Sequence, residues 1–481
     1  MRMTKFAARA LLPIAMLLGG TAVQAATAAP VTAKEAQQIA EDAYIYGYSL
    51  MTSAVTRVQM TNVPQLEPTK LKMPMGQFFN IPRYPPADFR GVTAPNVDTL
   101  YSAAWMDLGK EPMVFTHPDM GKRYFLFPML DYWTEVIASP GSRTTGGKAG
   151  TYLITGPGWT GTVPAGMTQI KSPTRYVVMI GRTYADGTEA DYKIVNALQA
   201  QYKLVPLSQF GKPYTPVAPP VNPNPGFSMT DPVRDVLSKM DATTYFGMMA
   251  AIMGDGAQPL PADAPIAARM ARIGLVPGKP FDPSKLPADV QAAIAAAPQS
   301  ATARIKAQAG SRGGTMVNGW QIPSAAGTYG TNYLARAYIA DVGWGANLPQ
   351  DAIYPIAKVD GSGQPLNGAH RYTVTFPKGQ LPPADGFWSI TMYDADYFFV
   401  PNKLNRFTAS ERNNLKANPD GSVTIDVSVD PPAADRMNNW LPAPKGDFVL
   451  MMRLYWPREK APSILPPGKG SWSPPPIVRV K

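Results

Sequence analysis

Two aspartates carry the first suggestion of chemistry. Asp98 lies in Ala94-Pro-Asn96-Val-Asp98-Thr-Leu-Tyr101 and Asp131 in Met129-Leu-Asp131-Tyr-Trp133, each in a turn beside a predicted strand end. Two carboxylates across one cleft, one of them desolvated, can act as acid and base or as nucleophile. Tyr101 would join them, with Asn96 and Trp133 beside the substrate. The plainer alternative has each aspartate cap its own turn by accepting backbone amides.

Arginines and aromatics supply the binding candidates. Ser139-Pro-Gly-Ser-Arg143-Thr-Thr-Gly-Gly offers amides, hydroxyls and a guanidinium, which suits a carboxylate, phosphate or sulfate. A hairpin with Arg143 paired to an acidic neighbour accounts for the same residues. Arg453 interrupts the apolar run Phe448 to Trp456, where a charge needs a carboxylate or a bound anion. Trp388 and Tyr393, with Trp440, Tyr455 and Trp472, would line a sugar-like or aromatic ligand cleft, or else pack in a core.

Other chemistries are excluded by what is missing. The chain has no cysteine and only two histidines, His117 and His370, so thiolate and three-histidine zinc sites cannot form. Both histidines are expected at the surface. Asn-Pro-Asp420-Gly-Ser lacks EF-hand spacing and reads as a hairpin turn. No metal ligand and no cofactor is assigned, although a divalent cation on oxygen ligands stays compatible with the composition. Neither a Gly-x-Ser-x-Gly elbow nor a dinucleotide glycine motif is present.

The elements that must position these groups follow from periodicity. Thr32-Ala-Lys-Glu35 is a capping box opening a helix from Ala33 to about Val58, thinned or kinked at Gly47. Leu100 to Leu108, Arg123 to Phe127, Thr151 to Thr155 and Arg175 to Thr183 read as short strands between tight turns. A helix is predicted over Asp191 to Lys203, then a proline-rich linker over 206–230. Helices are expected over Pro232–Met253, Ala262–Ile273, Ala288–Ala297, Ala301–Ala309 and Tyr329–Val342. Period two returns at Arg371 to Phe376 and Ser422 to Val429, with more apolar, central strands at Phe387 to Tyr393 and Phe448 to Trp456. The 52 prolines and 41 glycines fit many turns between short strands.

The expected fold is therefore mainly β. Two antiparallel β-sandwich or jelly-roll-like domains, at 32–205 and 351–481, carry an N-terminal helix and a helical subdomain at 231–350 between them. Residues 1–28 read as a Sec-type leader: Arg2, Lys5 and Arg9 precede an apolar stretch and small-residue cleavage patterns near Ala25 to Ala28. The protein is expected to be exported, to the periplasm, with no transmembrane span in the mature chain. The net charge of +11 falls to +8 without the leader's three cations. That excess is scattered, with no basic run interleaved with aromatics, so nucleic acid is not an expected partner. A small molecule or a glycan is.

The same segments also resemble two known families. Ala94 to Ser102, Met129 to Trp133 and Ser139 to Gly146 resemble DUF1254. Asp385-Gly-Phe-Trp388-Ser-Ile-Thr-Met-Tyr393-Asp394, Asn418 to Ser422 and Asn438-Asn-Trp440-Leu-Pro442 resemble DUF1214. One departure is Ser49, where proline is expected after Tyr-Gly-Tyr. The resemblance implies two sandwich-like β domains with a helical piece between them, and it supplies no catalytic residue. Two readings of function stay open. One is a hydrolase or lyase acting on a polar small molecule or glycan by carboxylate acid/base chemistry. The other is a non-catalytic ligand-binding or envelope assembly module.

Overall fold

Thr32 caps the first helix as its position predicts: its hydroxyl accepts from the Glu35 amide at 3.2 Å. A computed structural model describes residues 30–311, 314–324 and 326–480; the leader expected at residues 1–28 lies outside them. The helix runs Ala33–Thr61 without a break at Gly47. That glycine serves packing instead. A Cβ there would stand 2.3 Å from the Met249 sulfur, on the Ala242–Gly254 helix that lies against it.

The helical residues form one body with this first helix at its centre. Helices Val233–Ser238, Ala242–Gly254, Ala264–Ala271, Ala288–Ser311 and Tyr333–Gly343 all pack on Ala33–Thr61. The N-terminal helix thus belongs with the expected helical subdomain as much as with the first β domain. Two helices expected on either side of Pro298 are one, Ala288–Ser311. An internal proline costs about 3 kcal/mol, and burial of Ala297, Ala301 and Ile305 in the shared core offsets it. The proline-rich segment folds back onto the first helix, where Asn62 and Asn222 exchange hydrogen bonds of 2.8 and 2.7 Å.

Helices make up 27% and strands 24% of the whole, and outside this bundle the regular structure is mainly β. The first β region holds a six-stranded sheet centred on Thr99–Asp107 and Tyr176–Tyr184, antiparallel from Thr99↔Tyr184 to Asp107↔Tyr176. A four-stranded sheet, Lys203–Pro206, Met113–His117, Gly150–Thr155 and Thr168–Lys171, shares a core with it. Period two sorts the faces: Ala104, Met106 and Leu108 enter that core, while Tyr101, Ala103 and Trp105 point away.

The second β region repeats the plan. A seven-stranded sheet centred on Ala384–Asp394 and Phe448–Pro457 packs over a four-stranded sheet that includes Arg371–Phe376 and Val423–Ser428. Trp388, Ile390, Met392, Met452 and Leu454 fill the core between them. The alternate residues Ser389, Thr391, Tyr393, Arg453 and Tyr455 leave by the other face and are buried as well. What buries them is the first β region. The outer face of its large sheet is covered at one end by helices and at the other by this second sheet.

Candidate functional site

The junction of the two β regions is built around the turn Ala94–Asp98. Ala94 has a left-handed backbone (φ 50°), an uncommon conformation for a residue with a side chain. Asn96 stabilises the turn locally, its side-chain oxygen accepting from the Asp98 and Thr99 amides at 2.5 and 3.0 Å. The second β region then grips every residue of it. Arg453 donates to the Ala94 carbonyl at 3.1 Å and Tyr393 to the Pro95 carbonyl at 2.5 Å. Asn96 donates to the Tyr455 hydroxyl at 2.7 Å, and Arg412 to the Val97 carbonyl at 2.7 Å.

Asp98 completes the clamp. It is fully buried, paired with Arg412 at 2.9 Å through Oδ1, while Oδ2 accepts from Ser389 at 2.7 Å. A carboxylate so held is paired across the junction and closed off from solvent. Asn96 therefore caps the turn, as its type suggests, whereas the Asp98 side chain takes its partners from the other domain, Arg412 and Ser389.

Asp131 stands elsewhere. It is level with Val177 on the strand Tyr176–Tyr184, and Asp98 is level with Ala185. Eight positions at 3.3 Å each separate them by about 26 Å, so the two carboxylates do not share a cleft. Asp131 Oδ1 accepts from the Trp133 and Glu135 amides at 2.9 and 3.0 Å, holding a turn in which Thr134 is left-handed (φ 72°). Its Oδ2 is buried with no partner. Desolvation, with the Glu135 charge adding to it, pushes this carboxyl up to about 7. Trp133 packs against Tyr46 and beneath Arg336, whose guanidinium is 5.0 Å from its ring.

The remaining candidates also fall into place. Arg143 pairs at 2.7 Å with Asp351, which is 2% exposed, and so ties the first β region's loop to the second region. Trp388 lies in the second core, its indole donating to Glu411 at 2.9 Å. Tyr101 sits beneath Arg182, 5.1 Å from the guanidinium carbon. His117 is not at the surface: it is 3% exposed among Phe115, Phe125, Phe127 and Tyr152, and burial lowers its pKa. An imidazole flanked by apolar rings behaves as a flat core side chain. Among the described residues, no three acidic or histidine groups are placed to hold a metal ion.

A cleft opens beside the clamp. It measures about 530 Å³ and is lined by Tyr84, Asp186 and Tyr192 from the first region and Arg406, Arg412 and Asn413 from the second. Arg406 donates only to the Met437 and Trp440 carbonyls, at 2.5 and 3.0 Å, and has no ion pair among the described residues. A second opening of about 460 Å³ shares Asp186 and is lined by the closed ion pair Arg123–Asp191, 2.6 Å apart.

Sequence reasoning missed Arg412, Ser389 and Arg182. Arg182 and Ser389 could have been found as Arg453 was, because each interrupts an apolar strand. Arg412 carries no such signal; it belongs to the short polar turn Glu411–Asn413.

With this architecture in view, the family comparisons are direct. The chain carries two domains in tandem, each described as a protein of unknown function: DUF1254 at residues 75–206 and DUF1214 at residues 351–459. The Ala94–Asp98 turn lies in the first, and Ser389, Arg412 and Arg453 lie in the second. The solved VPA0106 protein from Vibrio parahaemolyticus is 25% identical, with a TM-score of 0.69 over 93% of this chain and 100% of that one. A second structure, from Burkholderia cenocepacia, aligns at a TM-score of 0.41 with 14% identity, over 94% and 99% of the two chains, too weakly to bear on the fold. No curated protein matches.

Proposed function

We propose that this is an exported, non-catalytic binding protein. It takes a small polar molecule into the cleft between two β-sandwich domains that the Ala94–Asp98 clamp holds at a fixed spacing. The observation that carries the reading is Arg406 lining a cleft of about 530 Å³ with no ion pair among the described residues. Small-molecule sites have volumes of about 300–1,000 Å³ and a few fixed polar groups. Tyr84, Tyr192 and Asn413 supply such groups around the arginine. No helix among the described residues is long and apolar enough to cross a membrane. Export to the periplasm rests on the leader read from the sequence.

The paired-carboxylate hydrolase or lyase has less support, because its two acids are about 26 Å apart. One observation keeps a second reading alive: Asp131, with a pKa of about 7 and an unpartnered oxygen, is suited to acid/base work by itself. Proton NMR of the protein mixed with sugars, carboxylates and phosphorylated compounds separates the two readings. Saturation transfer to a compound that stays chemically unchanged for hours supports binding. Conversion of that compound, lost in Asp131→Asn, overturns it in favour of an enzyme.

A further inference from the structure

Arg182 and Arg453 are 7% and 3% exposed at the junction. A guanidinium keeps its charge in any protein environment, so each needs negative charge close by. Neither has an ion pair among the described residues. Arg182 donates to the Ile180 carbonyl at 3.0 Å, and its Nε is buried without a partner. Arg453 donates to the hydroxyls of Thr391 and Tyr393, at 2.7 and 2.6 Å, and to the Ala94 carbonyl. All of these acceptors are neutral.

Tyr354, Tyr393 and Tyr455 do not supply the missing charge. Burial pushes the hydroxyls of Tyr354, Tyr393 and Tyr455 up, that of Tyr393 to about 12, so they remain protonated. Asp98 is the carboxylate whose field reaches Arg453, and Arg412 already neutralises it. Of the three guanidiniums, Arg412 alone has a carboxylate partner among the described residues.

The two unmatched arginines flank one aromatic pair. Arg453 lies 5.9 Å from the Tyr354 ring centroid, Tyr354 and Tyr455 are 6.0 Å apart, and Arg182 interacts with both. Asn347 donates to the Tyr354 hydroxyl at 2.7 Å while its own side-chain oxygen is buried and unpartnered.

We infer that the junction encloses a small bound oxyanion, of the phosphate or carboxylate class, between Arg182 and Arg453 beside Tyr354 and Tyr455. The unpartnered Nε–H of Arg182 takes one of its oxygens, and the tyrosine hydroxyls serve as neutral donors. This site is separate from the open cleft and does not depend on what occupies that cleft. Its position behind the clamp makes the anion a part of the domain junction.

The test is thermal unfolding of the full chain after exchange into oxyanion-free buffer. Sodium phosphate, sodium acetate and sodium chloride are titrated separately at matched ionic strength. The site predicts a saturable rise in Tm with phosphate or with acetate, which names the source, and none with chloride. Arg182→Gln weakens the apparent affinity at least tenfold, whereas Arg458→Gln, at an exposed ion pair, leaves it unchanged. A wild-type protein with no saturable response to either oxyanion overturns the site. So does an Arg182→Gln variant that responds as wild type does.

Discussion

Arg412 reaches Asp98 at 2.9 Å across the domain junction, and Ser389, 291 positions along the chain from Asp98, takes its other oxygen at 2.7 Å. The pair sits at the floor of the junction cleft, where Arg412 is in contact with the cleft and Asp98 is not. The carboxylate thus couples two domains, and its neighbours leave it no freedom to act on a substrate.

Asp98→Asn should therefore act on stability. Removing one partner of a buried ion pair costs about 3–5 kcal/mol, because the other is left uncompensated. Urea unfolding followed by calorimetry should show that loss, together with separation of one transition into two as the clamp loosens. A single transition with an unchanged midpoint contradicts the clamp.

Asp131 sets a pH dependence with a definite sign. Its folded pKa of about 7 lies above the ordinary carboxylate value of 3.8, so the folded chain holds a proton that the unfolded chain releases between them. Its contribution is fully present below about pH 4 and is lost as pH rises to about 7, by ~4 kcal/mol at 1.36 kcal/mol per unit. Asp131→Asn keeps an oxygen for the Trp133 and Glu135 amides, so its stability should be flatter than wild type over this window. Parallel profiles for the two proteins contradict the assignment.

Arg143→Met leaves Asp351 buried and uncompensated. With Arg143 itself one-fifth exposed, the expected loss is about 3 kcal/mol. Arg143→Lys should recover part of it. Chemical denaturation at pH 7 measures both, and a loss below about 0.5 kcal/mol would place this pair with ordinary surface ion pairs.

Gly47→Ala tests packing against helix propensity. Propensity alone favours alanine inside a helix by about 1 kcal/mol. The added methyl meets the Met249 sulfur, and overpacking costs about 1–3 kcal/mol. The variant should be destabilised, and Met249→Ala in the same chain should reverse the sign of the alanine effect. A stabilised single variant contradicts the close approach.

Local patterns made much of the fold legible. Thr32 and Glu35 marked the first helix, and alternation placed Tyr372, Val374 and Phe376 on the buried face of their strand. Pro298 misled, because a local rule cannot register the burial of Ala297 and Ala301. Of the site, Asp98 was visible as an aspartate in a turn beside a strand end, and Arg453 as a charge inside an apolar run whose need for partners was readable. Their partners were not. Sheet register decides that Asp98 and Asp131 lie at opposite ends, and register is a long-range property that no short motif carries.

The central claim is that the clamped junction presents a ligand-binding cleft. A thermal-shift screen of the full chain against sugars, carboxylates and phosphorylated compounds, repeated with Arg406→Gln, tests it most directly. A ligand at about 100 times its dissociation constant stabilises by about 2.7 kcal/mol. The account predicts at least one such shift in the wild type, with affinity at least tenfold weaker in Arg406→Gln. A flat screen, or a hit that Arg406→Gln binds equally well, contradicts it.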